Sequence, residues 1–143
     1  MPDQQTLTIK QAIDLATKHH DAGRLPEAQN IFEQILHSEP NQPIALHRLG
    51  IIAHHTGENE TAVVLIRKAV AIEPRDYHAH NNLGHILRGL GRLDEAVDSC
   101  SKALNIHPDF TEAHNNLGIA FYELGRHHDA IASYKKALAI RPD

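Results

Sequence analysis

Apolar residues return every three or four positions along most of this chain, in short runs broken by Gly or Pro. From residue 77 the run reads Ala79, Leu83, Ile86, Leu87 and Leu90 and stops at Gly91. It resumes with Ala96, Val97, Cys100, Ala103, Leu104 and Ile106, and Pro108 ends it. This spacing puts one apolar stripe on each of two consecutive helices. Gly91 suits the left-handed position just past the first helix, where a Cβ would be strained. Acidic residues open the second helices (Glu27, Glu60, Asp94, Glu95, Asp129) and Lys68, Lys102 and Lys136 follow, as the helix dipole prefers. Pro26 fits the first turn of its helix, where a missing N–H costs nothing. No stretch shows a strand pattern.

The same pattern recurs along the chain. Proline stands at 40, 74, 108 and 142, and glycine at 23, 57, 91 and 125, always 34 residues apart. Alanines 28, 62, 96 and 130 and leucines 15, 49, 83 and 117 keep the same spacing. The period divides the chain into four units, 9–42, 43–76, 77–110 and 111–143, with residues 1–8 as a partly disordered lead-in. Units 3 and 4 agree at 17 of 33 aligned positions. Ala16, Gly50, Gly84 and Gly118 on the first helices and Ala28, Ala62, Ala96 and Ala130 on the second allow close antiparallel pairing. Leu49, Leu83, Leu117, Val70, Leu104 and Leu138 are expected to fill the space around them.

Composition narrows the class. The 143 residues are 41% hydrophobic and 22% charged, as in an ordinary globular chain. A net charge of −4 argues against nucleic acid, whose phosphates call for clustered cations. No apolar run nears a membrane span and the start lacks a signal peptide's pattern, so a cytoplasmic location is expected. Cys100 is the single cysteine, which excludes an intramolecular disulfide and a cysteine zinc cluster.

A 34-residue unit with Leu-Gly in its first helix, Ala and a bulky residue in its second and a closing Pro resembles the tetratricopeptide repeat (TPR). The resemblance covers residues 9–143. It implies an all-α solenoid of four helix-turn-helix repeats, a right-handed superhelix of eight antiparallel helices with a concave groove lined by the first helices. No C-terminal capping helix is expected from the residues after the last repeat's second helix. The groove positions this implies are Lys10, Ile13, Asp14, Thr17, His20 and Asp21 in unit 1, and Ile44, His47, Arg48, Ile51, His54 and His55 in unit 2. Units 3 and 4 contribute His78, Asn81, Asn82, His85, Arg88 and Gly89, then Glu112, Asn115, Asn116, Ile119, Tyr122 and Glu123. Such a lining suits an extended peptide better than an apolar helix.

Units 3 and 4 both read Ala-His-Asn-Asn-Leu-Gly, at 79–84 and 113–118. A carboxamide carries donors and an acceptor together, so it grips a peptide backbone whatever the partner's side chains are. Asn82 and Asn116 resemble the asparagine ladder in the TPR superhelix of the N-acetylglucosamine transferase that modifies Ser and Thr. Arg48 and Asp14 depart from that ladder. The plainer alternative is that these carboxamides are solvated or bond between repeats. Asn81, Asn115, Arg48, His85, Arg88 and Tyr122 are expected to add selectivity.

Other chemistries fare less well. The TPR clamp on chaperone-tail carboxylates needs paired basic residues that Arg88 alone, and Lys10 followed by Asp14, do not supply. No two of the 13 histidines stand at i, i+3 or i, i+4, so a helical metal pair is not expected. His80 and His114 occupy a packed column and read as core rings with a satisfied nitrogen. His47, His54, His78 and His85 are candidates to meet across the groove and weaken binding as pH falls through about 6.5. Cys100 aligns with Tyr134 and reads as packing rather than as a nucleophile. No cofactor motif and no catalytic constellation stands out.

These readings lead to a non-catalytic protein-interaction module that binds an extended segment of a protein partner, with no membrane insertion. Two alternatives stand beside it. The run from Ala22 to Pro40, with Ala45-Leu46-His47-Arg48-Leu49-Gly50, resembles opening repeats of bacterial multidomain proteins. That resemblance implies a substrate-recruiting arm of a glycosyltransferase-like or sulfotransferase-like enzyme. The second alternative is a scaffold that self-associates end to end through the uncapped face of unit 4.

Overall fold

A computed structural model describes residues 6–142. It contains eight helices: α1 (Ile9–Asp21), α2 (Leu25–Ser38), α3 (Pro43–His55), α4 (Asn59–Ile72), α5 (Tyr77–Gly89), α6 (Leu93–Ile106), α7 (Thr111–Glu123) and α8 (His127–Ile140). They pair as α1/α2, α3/α4, α5/α6 and α7/α8, one hairpin per unit, and each hairpin packs on the next. The odd-numbered helices also touch along the array, α3 to α5 and α5 to α7. The expected lead-in falls largely outside the described residues, and Thr8 already caps α1.

The punctuation works as the period requires. Gly23, Gly57, Gly91 and Gly125 all have positive φ, between 77° and 86°. At α5 the Gly91 N–H donates to the Arg88 carbonyl and the Arg92 N–H to that of Leu87, a Schellman closure. Side chains cap the entries of three odd helices. The Thr8 hydroxyl accepts from the Gln11 N–H, the Gln42 side chain from Ala45, and the Asp76 carboxylate from Ala79. Pro26 lies in the first turn of α2.

The small-residue columns are the points of closest approach. A Cβ added at Gly50 would lie 2.4 Å from Ile66, at Gly84 2.5 Å from Cys100, and at Gly118 2.6 Å from Tyr134. Ala28, Ala62 and Ala96 have no exposed surface, and Ala130 is buried as well. Two apolar clusters follow. One joins units 1 and 2 through Ala16, Phe32, Ile35, Leu49 and Ile52. The other runs from Ala62 and Ile66 through Leu83, Ile86 and Leu87 to Ala120.

Leu138 is a correction. Val70 and Leu104 in the same column are partly covered by the following unit, whereas Leu138 is 57% exposed and Ile131 51%. Among the described residues nothing packs over the outer face of α8. The opposite end differs in kind. The columns that hold buried Ala45, Ala79 and Ala113, and buried Ile52, Ile86 and Ala120, carry exposed Gln11 and Lys18 in α1. Among the described residues unit 1 presents polar side chains at these columns, and unit 4 presents apolar ones on its outer face.

Candidate functional site

Because the odd-numbered helices line up side by side, their free faces form one continuous concave surface. It holds a cavity of about 900 Å³ between α3 and α5. The walls are Ile44, His47, Arg48 and Ile51 from α3, with His78 and Asn82 from α5. The turn before α5 closes one side with Glu73, Arg75 and Asp76. Gln42 and Pro43 at the start of α3 complete the lining, and the six other helical residues are among those the repeat register assigns to the groove.

The polar side chains of this surface are tied together across repeats. Asn82 donates through Nδ2 to His47 Nε2 at 2.9 Å, and Asn116 donates through Nδ2 to Asn81 Oδ1 at 2.9 Å. Arg88 reaches Glu123 Oε1 at 3.4 Å. Each pair spans 35 residues, one repeat plus one position, so a residue on one odd helix meets its neighbour's preceding position. Arg48 bridges backwards too, to His20 Nδ1 at 3.0 Å and Asp21 Oδ1 at 3.2 Å. The two Asn residues thus bond between repeats, and this does not exhaust them. Each uses one N–H in its bond, and among the described residues the Asn82 Oδ1 accepts no hydrogen bond.

Asn81 corrects the expected lining. It is 3% exposed, and its oxygen holds Asn116 in place. It supports the wall rather than facing a ligand. Asn115, in the same column one repeat later, is exposed. Tyr122 is 60% exposed, with its ring edge-on to His127 at 5.1 Å. His85 accepts from Arg88 Nη2 at 3.3 Å, while the Arg88 Nε is buried without a partner.

The histidines divide into structural and groove sets. His80 donates from Nε2 to the Pro74 carbonyl at 2.8 Å, and His114 to that of Pro108 at 2.7 Å. Both rings are buried, so each staples the start of its odd helix to the proline that ends the previous even helix. The expected four-histidine meeting splits in two. His54 lies edge-on to His85 at 5.3 Å, and its Nδ1 donates to Asn59 at 2.7 Å. His47 instead accepts from Asn82, with its Nδ1 3.7 Å from Asp76. Burial pushes His20, His47 and His85 below the ordinary imidazole range. The Arg48 charge adds to this at His20 and His47 and Arg88 adds at His85, while Asp76 opposes it at His47.

Burial pushes the Cys100 thiol up to about 12, which leaves almost no thiolate at neutral pH. Among the described residues no three His, Cys, Asp or Glu side chains converge to hold a metal ion. No helix among them is long and apolar enough to cross a membrane. Sequence reasoning placed Asp21 and Glu123 in the groove but passed over their pairing with Arg48 and Arg88, and passed over Asp76 beside His47. The 35-residue separation, searched for opposite or complementary polar groups, is the signal that finds Glu123.

Comparisons with known proteins agree with this architecture. The chain is similar to the solved MamA structure with a TM-score of 0.87 at 22% identity, over 94% of this chain and 79% of that one. MamA from Desulfovibrio magneticus RS-1, residues 41 to the end, aligns with a TM-score of 0.85 at 21% identity, covering 94% and 76%. MamA AMB-1 aligns at 0.79 and 27%, covering 94% and 74%. These likenesses establish the fold. No curated protein sequence matches the chain. Two family models, each described as tetratricopeptide repeat, match residues 19–83 and 75–143. With four in-phase hairpins and two models that together span residues 19–143, the chain belongs to the tetratricopeptide repeat family.

Proposed function

We propose that this chain is a non-catalytic interaction module whose concave groove holds an extended segment of a protein partner. The observation that carries the reading is the cavity between α3 and α5, where Asn82 lies among Ile44, Ile51, His47 and Arg48. Ile44 and Ile51 offer an apolar wall for alternate side chains of an extended segment. Asn82 and Asn116 supply carboxamides one repeat apart for its backbone. Arg48, His85, Arg88, Asn115 and Tyr122 add selectivity, and Asn81 and His47 set the orientation of the two Asn side chains.

Peptides selected by phage display on the immobilised chain provide the probe. The Asn82→Ala/Asn116→Ala double variant should weaken their binding by about 1–3 kcal/mol, read as Kd by calorimetry. An unchanged Kd would show that the carboxamides serve only to tie the repeats together.

A further inference from the structure

We propose that the centre of the groove takes an acidic extended segment and that this binding tightens in mildly acidic solution. The proposal rests on the groove reading above and adds the charge of the partner and the control of its affinity.

The cations come first. Arg48 and Arg88 stand on the two central odd helices, and each is paired with a carboxylate on a neighbouring unit, Asp21 and Glu123. Asp21 is 66% exposed and Glu123 40%, whereas the guanidinium side chains are 30% and 20% exposed. Ion pairs with one partner in water are weak and exchange readily. A carboxylate arriving along the groove can take the place of either rim acid.

The histidines supply the pH dependence. Three imidazoles are held as acceptors: His20 from Arg48, His85 from Arg88 and His47 from Asn82. Each of these bonds needs an unprotonated ring nitrogen, so the empty groove is arranged around neutral rings. The charged or titratable groups facing them are mostly basic. His20 faces Arg48, Asp21 and His55. His47 faces Asp76, Arg48, His78 and His20, and His85 faces Arg88 and His54, with the Asn116 side chain beside it. Asp76 is already engaged at the start of α5.

An acidic segment brings counter-charge beyond what Asp21, Asp76 and Glu123 supply to this cluster. With it bound, the rings gain protons that they refuse when the groove is empty. By linkage the complex then takes up protons, and affinity rises as pH falls. The sign is opposite to that expected for a cationic segment, which the same protonation would repel.

The test uses three labelled peptides of equal length, alternating Ala with Glu, Lys or Ser, read by fluorescence anisotropy at about pH 7.5 and about pH 5.5. The Glu peptide should bind best, and about tenfold more tightly at the lower pH. Calorimetry of the wild-type chain in two buffers of different ionisation heat should show net proton uptake, with no variant needed. The His20→Gln/His47→Gln/His85→Gln variant, checked for folding by circular dichroism, should lose most of the pH dependence. A Glu peptide that binds no better than the Ser peptide, or whose affinity ignores pH, overturns the proposal. If the Ser peptide then binds in an Asn82- and Asn116-dependent way, the groove reading survives without it. A chain that binds none of the three also contradicts the proposal, and the display-selected peptides decide separately whether the groove binds at all.

Discussion

Gly84 shows how single residues set the geometry of the groove. It lets α5 lie against α6 so closely that a Cβ there would meet Cys100 Sγ at 2.5 Å and the Ala96 carbonyl oxygen at 3.2 Å. The backbone atom cannot swing aside, and Cys100 is itself fully packed. Gly84→Ala should therefore cost about 1–3 kcal/mol in urea unfolding, despite the higher helix propensity of Ala. Cys100→Ala in the same chain should recover part of that loss, because it removes the nearer obstacle. A Gly84→Ala variant as stable as wild type would mean that the hairpins do not pack this tightly. The glycines of the turns act through backbone conformation instead, and the sequence shows both kinds because each recurs at the same period.

At the scale of elements, helices and their pairing were legible because they depend on local spacing and on columns that repeat without insertion. The Pro–His staples are legible for the same reason. His80 and His114 lie six residues after the prolines whose carbonyls they bind. What local spacing does not carry is the offset between adjacent odd helices. That offset turns Asn116 onto Asn81 and Asn82 onto His47, and it buries Asn81 where a groove residue was expected. The direction of His54, which bonds Asn59 at the start of its own hairpin's second helix, likewise depends on a turn rather than a stripe. The two end faces are a further element-scale result. In-register stacking of molecules would set Ile131 and Leu138 against a unit that carries Lys18 and Gln11 where other repeats bury Ile and Ala. Burying an unpaired ammonium there is unfavourable. Light scattering across a concentration series should therefore report a constant monomer mass. A mass that grows with concentration would show that the ends join in another register.

For the whole molecule, stacking four hairpins solves two problems at once. No hairpin buries its apolar face alone, and adding neighbours makes the core while leaving the concave surface free. That surface is built from one helix of each unit and stiffened by hydrogen bonds between units, so a ligand meets a largely preformed wall. The core is spent on packing, with the Cys100 thiol held protonated inside it. Where a partner binds decides whether the concave surface is the functional one. The most direct measurement is a ¹H–¹⁵N NMR titration of the labelled chain with a display-selected peptide, following backbone amides and the Asn side-chain pairs. Shifts should cluster on the groove residues of α3, α5 and α7 and include the Asn82 and Asn116 carboxamides. Shifts confined to the outer faces of α2, α4, α6 and α8, with those two carboxamides unmoved, would contradict it.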